Sequence, residues 1–182
     1  MSPSMPELSQ SFTWDIHLPL SWTWMSAVRD MVNAGLRDRG ASLREEITMV
    51  ASELAENVVK YGEPVENAAS GSLQLIITDA SVRVISTNGV RSGARIEHLA
   101  DALERIRRAP DPQVLYLERM KELMANPTQT ESRLGLLRIA FEGEFSLNHT
   151  YENDVLTIVA ERKLPWAAAS PAALVGERRR GG

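Results

Sequence analysis

The residues with the clearest chemical potential are an acid and an amide, Glu53 and Asn57, in the stretch SELAENVVKYG. On a helix, residues four apart are separated by about 6 Å along the axis and share one edge. A fixed glutamate can accept a proton, and an amide oxygen is a neutral hard ligand for hydrated Mg²⁺. Lys60 adds a cation to the same edge. The spacing also fits a solvated helix edge on which Glu56 and Lys60 form an ordinary ion pair.

A helix over residues 42–62 must position these side chains. Its apolar residues recur at intervals of three and four, and they are Leu43, Ile47, Val50, Leu54, Val58 and Tyr61. This spacing lines them along one face, which predicts a core-facing stripe beside the polar edge. Ser42 with Glu45 predicts a capping box at the start of the helix. Gly62, followed by Pro64, predicts a left-handed stop at its end.

The segment ELAENVVKYG resembles the N-box of the histidine-kinase-like (GHKL) ATPases, and especially the single-domain anti-sigma-factor serine kinases and the SiaB-like branch. The resemblance implies that Glu53 is the base that activates a water or a substrate hydroxyl. It implies that Asn57 holds a Mg²⁺ ion bridging the nucleotide phosphates, with Lys60 also in the nucleotide site. ATP or ADP and Mg²⁺ are therefore the expected cofactors.

The family's adenine-recognition box, D-x-G-x-G, falls by resemblance on the segment TNGVRSG. The overlay sets Thr87 against the Asp and Gly89 against the first Gly. Because no carboxylate is present, Thr87 or Asn88 would have to bond the base through a hydroxyl or an amide. Gly89 and Gly93 predict unusual backbone angles and close approach of a ligand. An ordinary Asn-Gly turn fits the same residues.

The segment RLGLLRI resembles the family's glycine box, G-x-G-L-x-x-I. Gly135, Leu136 and Ile139 match, but Arg133 stands where the first Gly is expected. A helix that begins here would offer free N–H groups to a phosphate. Arg133 would either add a charge-assisted hydrogen bond to that anion or block its close approach. A buried core helix is compatible with the same residues.

The rest of the chain is predicted to form the strands of a sheet and the helices that pack on it. Predicted strands are residues 11–20, 73–78, 82–87, 144–151 and 155–163, and further predicted helices are residues 22–39, 94–109 and 112–125. Ser21 would cap the first of these helices and Gly40 would end it. The helix over 112–125, capped by Asp111, is expected to turn Val114, Leu117 and Met124 inward, together with Leu123.

This element order predicts an α+β fold, a two-layer α/β sandwich whose helices cover one face of a mixed, mostly antiparallel sheet. The resemblance implies the same architecture, the Bergerat-type ATP-binding fold. We expect a mobile N-terminus over residues 1–10, one domain over residues 11–163, and a disordered tail over residues 164–182.

Composition narrows the class of function. The 182-residue chain has a formal net charge of −4, which argues against nucleic acid as a partner. It contains no Cys, which excludes disulfides, thiolate nucleophiles and Cys-type zinc sites. It has no apolar stretch long enough to cross a membrane, and its first residues lack the features of a signal peptide. We therefore expect a soluble cytoplasmic protein.

Two functions follow from the resemblance. The first is an ATP- and Mg²⁺-dependent protein serine/threonine kinase of a bacterial partner-switching system, with a regulatory protein partner of the antagonist or sigma-factor type. Homodimers are common among similar proteins. The second is a degenerate, non-catalytic module of the same fold that regulates a partner by binding, which the altered adenine and glycine boxes favour.

Overall fold

The computed structural model describes residues 12–91, 93–125 and 134–164. The strands are β1 Phe12–Leu18, β2 Gly71–Ile77, β3 Ser81–Gly89, β4 Ser146–Glu152 and β5 Val155–Lys163. The helices are α1 Met25–Gly35, α2 Ala41–Tyr61, α3 Gly93–Arg108, α4 Pro112–Ala125 and α5 Leu134–Phe141, with a short 3-10 helix, Trp22–Trp24, before α1. The expected N-terminal segment 1–10 and the tail beyond Leu164 lie outside the described residues.

The five strands form one sheet in the order β1-β2-β3-β5-β4. All four neighbouring pairs are antiparallel, where the prediction allowed a mixed sheet. Strand β1 lies at an edge, as expected, and β5 is inserted between β3 and β4. The predicted α+β sandwich is confirmed.

Alternate residues of the strands face the helices and form the core. On β2 and β3 these are Leu73, Leu75, Ile77, Val82 and Val84, each at most 2% exposed. The predicted stripe of α2 packs on the same core, with Ile47, Val50, Leu54 and Val58 fully buried. Burial of one such side chain contributes about 1.5–3 kcal/mol. The stripe therefore fixes α2 against the sheet and with it the polar edge of the helix.

The predicted ends of α2 are wrong in their details. The helix begins at Ala41, so Ser42 lies inside the first turn and donates to Glu46 Oε1 at 2.8 Å instead of capping. Gly62 has φ −70° and ψ 140°, an extended conformation and not a left-handed one. A Cβ at Gly62 would overlap the Val58 carbonyl oxygen and lie 2.7 Å from Leu20 Cδ2. Close packing, not backbone freedom, explains this glycine.

Both predicted hairpins are present. The Thr78 N–H donates to the Ser81 carbonyl at 2.9 Å between β2 and β3. Between β4 and β5, Asn153 and Asp154 have φ of 51° and 61°, the left-handed pair that a tight two-residue turn requires. The alternative of an Asn-Gly turn at residues 88–89 is wrong, because β3 continues through Gly89 and pairs with β5.

Two predicted helices differ from the structure. The first is shorter, since α1 ends at Gly35 instead of reaching residue 39. In α4 the predicted inward face is largely wrong: Val114, Leu117 and Met124 are 51%, 45% and 80% exposed. Tyr116 packs inward instead, with its ring centroid 5.5 Å from that of Phe141 on α5. Apolar residues occur on both sides of α4, so its sequence pattern does not determine which side is buried.

No helix within the described ranges combines the length and the apolar content that crossing a membrane requires.

Candidate functional site

A cleft of about 310 Å³ opens between α2, α3 and the start of α5, beside the C-terminal end of β3 and the N-terminal end of β5. Five of the predicted site residues line it: Glu53, Asn57, Lys60, Asn88 and Gly135. The volume is at the lower end of the range of about 300–1,000 Å³ that is typical of small-molecule sites. Apolar side chains complete its walls, among them Ile96, Leu99, Leu156 and Ile158.

The carboxylate of Glu53 lies where α2 meets α5. Its side chain is 19% exposed, and its Oε1 accepts a hydrogen bond from Arg138 Nη1 at 3.0 Å. Burial raises the pKa of Glu53 above 4.5, whereas the bond from Arg138 acts in the opposite direction. Burial is the larger effect because the carboxylate has lost much of its hydration. Glu53 therefore has the position and the raised pKa of a candidate proton acceptor.

Gly135 packs directly on this carboxylate. A Cβ at position 135 would overlap Glu53 Oε2, and it would lie 3.4 Å from Glu53 Cδ. Glycine at position 135, which the sequence suggested as a glycine-box residue, thus leaves room for the Glu53 carboxylate. A side chain at position 135 would displace the Glu53 carboxylate from the place that it occupies here.

Asn57 follows Glu53 by one turn and is half-buried in the cleft. Among the residues that the structure describes, none forms a hydrogen bond with its side-chain amide. A half-buried amide without a protein partner is available to a ligand or a hydrated ion. Lys60 stands one turn further on, exposed, with its Nζ 5.0 Å from the ring centroid of Tyr61.

The structure separates the two residues that were predicted at the adenine end. Asn88 is 3% exposed, faces the helices and lines the cleft, and its Nδ2 donates to the Gly89 carbonyl at 3.2 Å. Thr87 points to the other face of the sheet, where its hydroxyl lies 3.4 Å from that of Thr157. Because neighbouring residues of a strand face opposite sides, only one of the two can reach the cleft. Thr87 is therefore not a cleft residue.

Gly89 is close to the cleft but does not line it. A Cβ there would overlap the Glu63 carbonyl oxygen and lie 2.7 Å from Val65 Cγ2. The Glu63 N–H donates to the Gly89 carbonyl at 2.9 Å. Gly89 thus holds the loop after α2 against β3. The unusual backbone angles expected here are absent from the described glycines, none of which has a positive φ.

We predict that Gly89→Ala lowers the free energy of unfolding by about 1–3 kcal/mol, because the added methyl must displace backbone at residue 63. Urea denaturation followed by circular dichroism would measure this change. Gly93→Ala is the matched control, since nothing lies within 4 Å of a Cβ at that position. Equal effects of the two substitutions would contradict the assignment of Gly89 as a packing residue.

Arg138 was not among the predicted site residues, and it is the main addition. It bonds to Glu53 across 85 positions of sequence, a separation at which no local pattern operates. The available signal was its spacing from Glu142, four residues later and directly after the end of α5. Arg95 and His98 on α3 also line the cleft. Arg133 lies outside the described residues.

The arrangement combines three chemical functions within one concave surface. Glu53 offers a proton acceptor, Asn57 offers a neutral oxygen, and Lys60 and Arg95 bring positive charge to the same cleft. Gly135 brings the first turn of α5 to the wall, where helix N–H groups favour an anion. The apolar walls and the Asn88 amide suit a planar heterocycle with hydrogen-bonding edges.

No family model and no curated protein matches the chain. Among solved structures, it is similar to a chain in the crystal structure of the SiaB-SiaC complex from Pseudomonas aeruginosa, with a TM-score of 0.62 and 17% sequence identity. The match covers 83% of this chain and 89% of the other. At this identity the similarity shows a shared fold.

Proposed function

We propose that this protein is an ATP- and Mg²⁺-dependent protein serine/threonine kinase of a bacterial partner-switching, anti-sigma-like system. One observation carries the proposal: Glu53 and Asn57, one turn apart on α2, line the same cleft of about 310 Å³. A solvated helix edge, the alternative that the sequence left open, would not place an acid, and an amide that has no hydrogen-bond partner among the described residues, in a concave site with apolar walls.

The residues present fit the proposed cofactors. Asn57 would hold the Mg²⁺ ion, while Lys60 and the first turn of α5 at Gly135 would face the phosphates. The described residues contain no group of three or more His, Asp and Glu side chains that could hold a metal. This fits Mg²⁺, which is commonly held by few protein ligands together with phosphate oxygens and waters. Bound ATP supplies the phosphoryl group to be transferred.

In this proposal Glu53 accepts the proton of the attacking hydroxyl. The raised pKa of Glu53, caused chiefly by burial, brings the carboxylate closer to the basicity that proton transfer near neutral pH requires. Lys60 and Asn57 hold the anionic end of the nucleotide, so most of the rate acceleration comes from positioning and neutralisation of charge. Asn88 would accept a hydrogen bond from the base in place of a carboxylate.

The acceptor in this proposal is a regulatory protein of the antagonist or sigma-factor type. The structurally similar chain occurs in a complex of two proteins, which supports a protein partner for this fold. The second candidate remains a non-catalytic module that acts by binding. One observation favours it: the buried residue at the adenine end is Asn88, an amide that recognises adenine less strongly than a carboxylate would.

Calorimetric titration with ATP, with and without Mg²⁺, tests the proposal. We expect Mg²⁺ to tighten ATP binding. We expect Asn57→Ala to raise the Kd of ATP in the presence of Mg²⁺ at least about tenfold, because the ion loses its protein ligand. Asn148→Ala, at an exposed position on β4, is the matched control and should bind as the wild type does. Absence of ATP binding at millimolar concentration would reject the kinase and support the binding module.

A second titration tests the adenine end. Asn88→Ala is expected to weaken ATP binding about two- to tenfold, the effect of one lost hydrogen bond. Thr87→Val, on the opposite face of the sheet, should leave affinity unchanged. If Thr87→Val weakened binding and Asn88→Ala did not, the adenine would have to lie elsewhere than against the helix-facing side of β3.

A further inference from the structure

Arg138 bridges two carboxylates, that of Glu53 on α2 and that of Glu142 directly after the end of α5. Its Nη1 donates to Glu53 Oε1 at 3.0 Å and its Nε donates to Glu142 Oε2 at 2.7 Å. Two bonds from different nitrogens fix the plane of a guanidinium as well as its position, which a single point charge cannot do. The bond to Glu142 therefore fixes the Arg138 guanidinium, and the guanidinium in turn fixes the Glu53 side chain of α2.

Glu142, in turn, has a neighbour on α4. Burial raises the pKa of Tyr116, and the nearby carboxylate of Glu142 raises it further. The ring of Tyr116 packs against Phe141 on α5. The side chains of Tyr116, Glu142, Arg138 and Glu53 thus line one small pocket between α4, α5 and α2.

The carboxylate of Glu53 is constrained from both sides. Arg138 bonds to Oε1, and the backbone of Gly135 lies against Oε2. Within the described residues, Arg138 is the cation that forms an ion pair with Glu53, whereas Arg29 lies 3.8 Å from Glu56. A base must present a defined oxygen to the proton that it accepts. These two contacts therefore determine the orientation in which the Glu53 carboxylate can accept a proton.

We propose that Arg138 is a positioning residue for phosphoryl transfer, which holds the Glu53 carboxylate in the orientation that accepts the proton and is itself held by Glu142. The inference rests on the proposed function. In that reaction Glu53 takes the proton of the attacking O–H, the attacking oxygen bonds to the terminal phosphorus, and the bond from that phosphorus to the bridging oxygen breaks to release ADP. Arg138 contacts neither the acceptor nor the phosphorus.

The alternative, a purely structural ion pair, predicts different behaviour. Arg138 is 43% exposed, and exposed ion pairs contribute little to stability. An ion pair of Arg and Glu four residues apart, in the reverse order along the chain, also occurs on α3, where Arg108 Nε lies 2.5 Å from Glu104 Oε1. If the Arg138 pair were only structural, replacing either arginine would have the same small effect.

The test is the single-turnover release of inorganic phosphate from Mg·ATP, with water as the acceptor, together with the Kd of Mg·ATP. Arg138→Met is expected to slow release at least about tenfold and to change Kd less than about twofold. Arg138→Lys, which keeps the charge, should recover part of the rate. In a Glu53→Gln background, Arg138→Met should change the rate less than about twofold, because the group that it positions is already disabled. Arg108→Met is the matched control and should match the wild type.

Three results would overturn the inference while leaving the kinase proposal intact: release from Arg138→Met at the wild-type rate, an equal loss of rate in the Glu53→Gln background, or a Kd that weakens in step with the rate. A wild-type protein that binds Mg·ATP but releases no phosphate to water would overturn this inference, whereas a wild-type protein that does not bind Mg·ATP would overturn it together with the kinase proposal. If Arg138→Met folds poorly, a wild-type rate in Arg138→Lys with a matched loss of nucleotide affinity would assign Arg138 to nucleotide binding instead.

Discussion

Replacing Glu53 with Gln is expected to slow phosphate release from Mg·ATP by at least about 100-fold, while nucleotide affinity changes less than about twofold. Gln has nearly the shape of Glu, and its side-chain oxygen can still accept the hydrogen bond from Arg138. It cannot take up a proton. The substitution therefore removes the proposed chemistry and leaves the cleft intact. Single-turnover phosphate release and calorimetry measure the two quantities separately.

Glu56→Gln is the matched control for this prediction, because Glu56 lies on the same helix and also lines the cleft. The pH dependence provides a second check. Since the pKa of Glu53 is raised above 4.5, the reactive ionised form is lost as the pH falls through that raised pKa. The rate should therefore decline at a higher pH than an ordinary glutamate would produce. Phosphate release by Glu53→Gln at the wild-type rate would remove Glu53 from the catalytic role.

Gly135→Ala is expected to slow phosphate release about 100-fold with little loss of stability, because small displacements of catalytic groups have effects of that size. The added methyl would overlap Glu53 Oε2, the end of a flexible side chain that can rotate away. Ala is also favoured over Gly in a helix by about 1 kcal/mol, which offsets the displacement. The protein should thus fold normally with its carboxylate turned out of position.

Thermal denaturation and single-turnover kinetics on the same samples test this separation of stability from activity. Gly93→Ala adds the same methyl at the start of α3, where nothing lies within 4 Å of it, and should alter neither property. Unchanged activity in Gly135→Ala would show that the close contact between α5 and Glu53 has no part in the reaction.

The sequence predicts those parts of the fold that local physics determines. The stripe from Ile47 to Val58 is buried because one helix face must meet a core. The turn at Asn153 and Asp154 forms because these residues tolerate left-handed backbone angles. Glu53 and Asn57 share a cleft because the pitch of α2 places them on the same edge.

The predictions fail where the sequence pattern allows either of two residues, or either of two helix sides, to face the core. At β3 the overlay on a family motif favoured Thr87, but the alternation that begins at Val82 and Val84 already placed Asn88 on the buried face. On α4, Val114 and Tyr116 offered competing apolar sides, and packing against α5 decided between them.

The contacts around Glu53 could not have been derived from local patterns. Arg138 follows Gly135 by less than one helical turn, and both meet Glu53 from a helix that begins 81 positions after it in the chain. Only the tertiary packing of α5 on α2 brings a guanidinium and a backbone together on one carboxylate. Sequence reasoning identified Glu53 and Gly135 as site residues, but it identified neither the contact between them nor Arg138.

The placement of β5 between β3 and β4 has a consequence for how the protein is made. As the chain leaves the ribosome, β3 emerges more than sixty residues before its partner, and β4 has no neighbour until β5 follows. Through that interval the edge of β3 carries unpaired N–H and C=O groups beside Val82 and Val84. An exposed strand edge of this kind is prone to aggregation. We expect fragments that end before residue 155 to require a chaperone.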